Sequence, residues 1–200
     1  MTDRVFKQII KEARELIIKL ARQNGWLWFY KMHQQEVVEA AEELLKLYPK
    51  ADRQIVIIAC WLHDISKYYA KNSRDIPKVE QNHHIDSAKI AGEILQSGSL
   101  DPAEIKRIKN CILRHRNKPG FRPETLEEKI IAVADTLSHF KSVFYLTYFK
   151  FHPKHSLERM VKTDLAKLER DWRDLGLLSR SREMVEKEYQ VLKKMFKSYS

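Results

Sequence analysis

A histidine and an aspartate stand side by side at the end of an apolar segment, in the stretch IVIIACWLHDISKYY at residues 55–69. Imidazole and carboxylate groups are unfavourable in an apolar interior unless they are paired, hydrogen-bonded or bound to a metal. Ala59 and His63 are four residues apart, so a helix would place both on the same inward face. The pattern therefore indicates metal ligation or a buried ion pair for His63 and Asp64.

Four further segments place an ionisable side chain on an apolar helical face in the same way. His33 stands four residues before Val37, and Asp135 stands four residues after Ile131, so each shares a face with a core residue. One such histidine alone is more often a hydrogen-bonded core residue than a ligand. Several of them on different helices can offset one another's loss of hydration by sharing a cation. The complete set is His33, His63, Asp64, His83 or His84, His115 and Asp135.

The elements that must position these residues are helices, and the pattern predicts an all-α fold in a single domain, 1–200. Only 5 of the 200 residues are glycine and 6 are proline, so few turns and long helices are expected. Asp101 and Thr125 are strong helix starts, because each is followed three residues later by a glutamate that can complete a capping box. Polar stretches at 71–81 and 117–123 are predicted loops. The predicted helices lie near 4–22, 29–48, 52–69, 83–96, 101–116, 125–150, 156–175 and 180–198.

Composition narrows the classes of partner. A formal net charge of +10 favours anionic partners, although a solvated lysine-rich surface would give the same balance. The basic residues are spread along the chain, so nucleic acid is not favoured as a partner. Cys60 and Cys111 lie in apolar helical patterns and are expected to be reduced core residues. With a charged N-terminal segment and no long apolar run, a cytoplasmic protein without a membrane partner is expected.

The ordered set of ionisable residues resembles the HD-domain metal-dependent phosphohydrolases over about residues 29–140. The resemblance implies an all-α bundle of the HD-domain type with about seven or eight helices. It also implies an HD-domain core at 29–140 and a C-terminal helical extension at 150–200. The matching segments are MHQQEVVEAAEELL at His33, WLHDISKYY at His63 and Asp64, HHIDSAKIAGEIL at His83, IKNCILRH at His115 and IAVADTLS at Asp135.

The same resemblance implies a set of metal ligands. In members with two extra histidines a second metal site shares an aspartate with the first. A nitrogen and oxygen ligand set without thiolate suits Mn, Fe, Co, Ni or Zn, with Mg a further candidate, and one or two divalent ions per chain are implied. The implied ligands are His33, His63, Asp64 and Asp135 for the first ion, and Asp64, His83 and His115 for the second.

Two neighbouring histidines compete for one of these positions. The family's histidine usually stands five residues before a small residue, which is Ala88 here, so His83 is favoured. His84 is the alternative, and it is also a candidate substrate contact. Ser87 stands where the family usually has glycine. The stretch HRNKPG at 115–120 also departs from the HTTG-like stretch of a branch that cleaves dinucleotide polyphosphates, so that branch's substrate is not implied.

The function implied is hydrolysis of a phosphate ester or anhydride of a small phosphorylated compound, for example a nucleotide, by metal-activated water. Asp64 and Lys67 are the candidate catalytic residues. Lys67, Arg114 and Arg116 are candidate substrate contacts, and a solvated position is the alternative for each of the three. The competing functions are a helical protein that holds metal without catalysis and a helical protein that binds nucleic acid.

Three features stand outside this pattern. The aromatic run GWLWFY at 25–30 could stack a nucleobase, but a core or interface role is the commoner one. His139, His152 and His155 are expected at the surface. The apolar stripes of the C-terminal helices are expected to pack on the bundle or to form a homodimer contact.

Overall fold

The computed structural model describes residues 1–71, 76–96 and 100–199, and these ranges fold into helices without a regular strand. The predicted all-α fold is confirmed. Within these ranges eight α-helices contain ten or more residues, in agreement with the predicted seven or eight. The helices are α1 (Asp3–Asn24), α2 (Leu27–Phe29), α3 (Gln35–Leu47), α4 (Arg53–Leu62), α5 (Ile65–Tyr69), α6 (Ile76–Gln96), α7 (Pro102–Arg114), α8 (Leu126–Lys141), α9 (Thr147–Phe151), α10 (Leu157–Asp174) and α11 (Glu186–Lys197).

Side chains at the predicted caps fix where several helices begin. Asp52 accepts hydrogen bonds from the main chain at the start of α4. Asp101 and Thr125 each form a complete capping box, with Glu104 and Glu128 respectively, at the starts of α7 and α8. A box of this kind satisfies main-chain N–H groups that would otherwise lack partners. These starts were readable from the sequence because capping depends on local contacts.

The second predicted helix, 29–48, is divided into α2, a π-helical turn at Tyr30–Gln34 and α3. A π turn widens the helix by one residue and is found frequently at functional sites. His33 and Gln34 lie within this turn and are buried. The Gln34 side chain donates a hydrogen bond to the carbonyl oxygen of Cys60 at 2.8 Å, which attaches the turn to α4.

Three predicted boundaries are wrong. The loop prediction for 71–81 fails because α6 begins at Ile76, where Pro77 is tolerated in the first turn; residues 72–75 lie outside the described ranges. The helix predicted to reach Lys150 ends at Lys141, because Ser142 is extended and its hydroxyl donates to the carbonyl of Ser138. The last helix begins at 186 rather than 180, after a turn in which Ser181 donates to two main-chain carbonyl oxygens.

The helices pack around one apolar core that leads to a common point. α3 lies along α8, α4 contacts α3, α7 and α8, and α6 packs against α5 and α7. α10 packs against α8 and α11. In the contact with α11, the rings of Trp172 and Tyr189 stack with their centroids 3.9 Å apart. The stripe of α11 therefore packs on the bundle through Tyr189 and Phe196. In the described ranges, no helix combines the length and apolar character needed to cross a lipid bilayer.

Candidate metal centre

Two histidines and two aspartates converge from three parts of the chain. His33 comes from the π turn, His63 and Asp64 from the turn between α4 and α5, and Asp135 from α8. The Nε2 atoms of His33 and His63 are 3.3 Å apart. His33 Nε2 lies 3.4 Å from Asp64 Oδ2 and 3.2 Å from Asp135 Oδ1. The four residues implied as the first ligand set therefore meet in one place.

A second pair of histidines lies on the other side of Asp64. His83 of α6 and His115 at the end of α7 bring their Nε2 atoms to 3.2 Å. His83 Nε2 is also 3.2 Å from Asp64 Oδ1. Asp64 thus presents one carboxylate oxygen to each histidine pair. This is the arrangement that a bridging ligand between two cations requires.

Hydrogen bonds at the outer ring nitrogens fix the tautomer that these histidines adopt when neutral. His63, His83 and His115 each direct Nδ1 at the main-chain carbonyl oxygen three residues earlier, at 2.7, 3.0 and 2.6 Å. A carbonyl oxygen can only accept, so Nδ1 carries the proton and Nε2 keeps a lone pair in the neutral ring. For His33, Ser138 donates its hydroxyl hydrogen to the carbonyl of Asp135 and accepts from Nδ1.

With neutral rings of this tautomer, the hydrogen-bond acceptors of the cluster face one another. In the neutral rings the paired Nε2 lone pairs point toward one another and toward carboxylate oxygens, and the oxygens of Asp64 accept no hydrogen bond from the described residues, although Oδ2 is ion-paired with Lys67 at 3.0 Å. A buried cluster of this kind is unfavourable unless a cation joins it. Imidazole nitrogen and carboxylate oxygen are suitable ligands for divalent transition metals. The residues present therefore fit one or two divalent ions.

The charges within the cluster also favour a bound cation. Burial by itself would lower the pKa of His63, but Asp64 and Asp135 outweigh burial and raise it to about 10, so without a metal ion this ring takes up a proton in place of the cation. Burial would raise the pKa of Asp64, but Lys67 and the histidines His63 and His83 hold it well below its usual value. The carboxylates thus stay charged and attract positive charge into the site. A divalent cation would supply that charge.

Asp64 adopts a main-chain conformation that suits this role, with φ −113° and ψ 16° between helices α4 and α5. This sparsely populated region is common among active-site residues. The single helix predicted for 52–69 is interrupted here by the His63-Asp64 turn. The interruption places adjacent side chains in the same cluster, which a continuous helix would not do.

His139 was predicted at the surface, and that prediction is wrong. It is 5% exposed, because α10 covers this end of α8. Its Nδ1 lies 3.1 Å from Asp171 of α10, which also accepts hydrogen bonds from Tyr145 and Lys167. Its Nε2 is 4.0 Å from Asp135 Oδ1, so His33, Asp135 and His139 form a further group that could hold a cation. The spacing of four residues between Asp135 and His139 was the available signal.

A cleft of about 1180 Å³ opens above the cluster. Lys67 lines it, with Nζ 3.0 Å from Asp64 Oδ2 and 3.0 Å from Glu80 Oε2. Arg116 also lines it, and its guanidinium lies 3.1 Å from Glu80. Arg114 is not among the lining residues, and its guanidinium pairs with Glu124 at 2.6 Å. Of the two arginines predicted to contact substrate, only Arg116 reaches the cleft.

The structure brings His83, and not His84, into the cluster. His84 is 3% exposed, packs edge-on against Phe121, and leaves both ring nitrogens without a hydrogen-bond partner among the described residues. The serine that replaces the family's usual glycine has a structural role nearby. The Ser87 hydroxyl donates to the hydroxyl of Ser66 at 2.9 Å and accepts from the main-chain N–H of Ser66 at 3.1 Å. These contacts join α6 to α5 beside the cluster.

The aromatic run at 25–30 contributes both core and cleft residues. Trp26, Phe29 and Tyr30 are buried, and Phe29 stacks on the ring of His33 at 4.8 Å. Trp28 is partly exposed, lines the cleft and contacts Phe151 at 5.2 Å. The run therefore supports the first ligand and forms one wall of the cleft.

Comparison with known proteins gives the family. No curated protein and no solved structure matches the chain. The HD domain family model matches residues 30–139, just over half of the chain, and this span contains every ligand of the two histidine pairs. The match confirms the resemblance read from the ordered His and Asp residues. The chain belongs to the HD-domain family, whose members are generally metal-dependent hydrolases.

Proposed function

We propose that this protein is a metal-dependent phosphohydrolase that cleaves a phosphate ester or anhydride of a small phosphorylated compound, for example a nucleotide. One observation carries the proposal. Six side chains that can ligate a metal converge from five elements, and four of them, His33, His83, His115 and Asp135, line a cleft that is open to solvent. The six are His33, His63, Asp64, His83, His115 and Asp135.

A divalent cation bound there would supply an activated water molecule and would neutralise charge on the phosphoryl oxygens. The chain's own residues have distinct roles around it. Asp64 lies between the two histidine pairs and would hold both positions in register. The outer hydrogen bonds of the histidines fix each ring and direct Nε2 toward the cation, as contacts outside the ligand shell do in other metal proteins.

Lys67 is placed to contact a substrate phosphoryl group. Its ammonium is buried at the edge of the cleft and is held by Asp64 and Glu80. Burial favours the neutral amine, but those carboxylates outweigh it and keep the pKa above its usual value. A fixed positive charge next to the ligands can bind a phosphoryl oxygen and oppose the charge that develops in the transition state.

The first experiment is elemental analysis of the purified protein, followed by a screen of phosphomonoesters, phosphodiesters and phosphoanhydrides. We expect bound transition metal and turnover of at least one class. Metal without turnover on any class would favour a non-catalytic metal-binding protein. Tight, salt-sensitive binding of DNA or RNA by a metal-free sample would favour the nucleic-acid alternative.

The Asp64→Ala variant tests the centre itself. It should lose bound metal and hydrolysis, because it removes both oxygens that face the histidine pairs, and it should keep its helical circular dichroism. Asp86→Ala, at an exposed position on α6, is the matched control and should retain both properties. Full metal content and full turnover in Asp64→Ala would falsify the assignment.

A further inference from the structure

The cleft extends well beyond the candidate metal centre. Its volume of about 1180 Å³ lies above the usual range for small-molecule sites, roughly 300–1,000 Å³. One wall, called the far wall because it holds none of the six candidate ligands, is formed by one side of α10, from Thr163 to Asp174, together with the segment 117–123.

Four cationic side chains line this far wall. Arg170 and Arg173 belong to α10, and Lys118 and Arg122 to the segment that follows His115. Within the part of the chain that the structure describes, none of the four forms an ion pair with a carboxylate. Two neighbouring cationic residues of the cleft, in contrast, do form ion pairs.

Lys167 pairs with Asp171 at 2.5 Å, and Arg116 pairs with Glu80 at 3.1 Å. The far wall also holds Asp174, on which Arg173 acts electrostatically, but the Asp174 carboxylate accepts from Asn117 and forms no close ion pair with any of the four cationic groups. Burial first, and then the repulsion of Arg116, lowers the pKa of Lys118. An anion bound between these groups would relieve that repulsion.

A specific contact holds the two parts of this wall together. Asn117 donates from Nδ2 to Asp174 Oδ1 at 2.8 Å, which fixes the segment against the end of α10. Asn117 has φ 47°, in the left-handed region that asparagine tolerates better than most residues. Gly120, with φ 84°, completes the turn that carries Lys118 and Arg122. The wall is thus built from two segments that are distant in sequence, in a defined geometry.

A buried carboxyl group in the same wall also lacks a partner. Asp164 lines the cleft, is 4% exposed, and has no hydrogen-bond partner for its Oδ2 atom among the described residues. Buried polar atoms are nearly always satisfied, so an unsatisfied one beside a cleft points to a group that a ligand supplies. A ligand hydroxyl or amine would suit this position.

We propose that Arg170, Arg173, Lys118 and Arg122 form a second anion-binding site, which takes a phosphate or carboxylate group at the far end of the substrate. The reacting phosphoryl group of the same molecule would lie at the metal centre. This inference rests on the proposed function and narrows its substrate class to compounds with two separated anionic groups. Arginine guanidinium groups suit both anions, because they bind either in a two-point geometry.

The test uses ligands that cannot be hydrolysed. Isothermal titration calorimetry on the full, manganese-loaded chain would compare α,ω-alkane bisphosphonates of increasing length with alkyl monophosphonates of the same lengths. At the length that spans the cleft, we expect the bisphosphonate to bind about tenfold more tightly or better, equivalent to one good charge-assisted contact. A matching ω-carboxyalkyl phosphonate series separates the two anion types, since the far site should favour one of them.

Substitutions test which residues provide the additional affinity for bisphosphonates. Arg170→Ala/Arg173→Ala should lose the advantage of the bisphosphonate and leave monophosphonate affinity unchanged. Arg180→Ala is the control, because Arg180 is 62% exposed, lies outside the cleft-lining residues and should keep the advantage. Equal affinity of the two series at every length, or an advantage that survives in the double variant, would overturn the second site alone. Absence of binding by every phosphonate would contradict the proposed function as well.

Discussion

Each imidazole of the metal centre is oriented by the nitrogen that points away from it. In His63, His83 and His115 this nitrogen donates to the carbonyl oxygen three residues earlier, so the helical main chain itself sets the ring. In His139 the acceptor is the carboxylate of Asp171. Main-chain acceptors cannot be removed by substitution, whereas the side chains of Asp171 and of Ser138, which accepts from His33, can. The positions of His33 and His139 are therefore the ones most open to change by a side-chain replacement.

The carboxyl group of Asp164 predicts a pH-dependent stability. Burial outweighs the attraction of Lys167 and raises the pKa of Asp164 from 3.8 to about 7. The folded protein thus keeps Asp164 protonated at pH values where the unfolded chain ionises it, and its contribution to stability is lost as pH rises to about 7. Asp164→Asn stays neutral, so its advantage over the unmodified protein should grow across that range to on the order of 2 kcal/mol at pH 8.

Urea denaturation of the metal-free protein at pH 4.5 and pH 8 would measure this change. Asp86→Asn, at an exposed position, should show no such pH-dependent gain. If the difference in the free energy of unfolding between Asp164→Asn and the unmodified protein were the same at both pH values, Asp164 would be charged in the fold throughout.

The convergence of the candidate ligands could be predicted from the sequence, but one of their neighbours was missed. His33, His63 and Asp135 were recognisable because each shares a helical face with apolar residues. His139 shares the face of Asp135 by the same spacing, yet its burial depends on α10. Contacts between elements distant in sequence leave no local pattern, so the role of Asp171 was not readable either.

At the scale of the element, the π turn at Tyr30–Gln34 determines how His33 is positioned relative to the aromatic run at 25–30. Residues before the turn pack Trp26 and Phe29 into the core, and residues after it align α3 with α8. The extra residue of the turn allows both packings at once. Amphipathic periodicity does not reveal such an insertion, and the sequence analysis accordingly predicted one regular helix.

Deletion of Lys31, an exposed residue within the turn, tests this role. Removing one residue should convert the π turn to α-helix, because a π turn contains one residue more than an α turn, and should shift the residues of the turn relative to the segment before it. His33 and Phe29 cannot then both keep their positions, so metal affinity should fall at least tenfold while helical circular dichroism is largely kept. Lys31→Ala preserves the chain length and should bind metal normally. Unchanged metal affinity in the deletion variant would show that the turn does not position His33.

Across the whole molecule, the candidate centre joins α4, α6, α7, α8 and the π turn at one point. A ligand that binds only the folded state stabilises it by mass action. Manganese at about one hundred times its dissociation constant should therefore add roughly 2.7 kcal/mol to the free energy of unfolding. For a chain of this length the melting temperature should rise by about 5 °C or more over a chelator-treated sample.

Differential scanning calorimetry with manganese or with EDTA would measure this shift. Asp64→Ala should melt at the same temperature in both conditions, and Asp86→Ala should show the full increase. A shift in Asp64→Ala equal to that of the unmodified protein would place the stabilising ion elsewhere in the molecule.

The long sequence separation between contacts at this centre has a consequence for folding rates. His33 is held by Ser138, which lies 105 residues further along the chain. The site is complete only after α8 has docked on α3, which makes it a late structure whose contacts are absent from an early transition state. A bound ion should then leave the folding rate unchanged and slow unfolding, so that metal acts on the lifetime of the native protein rather than on the speed at which it forms.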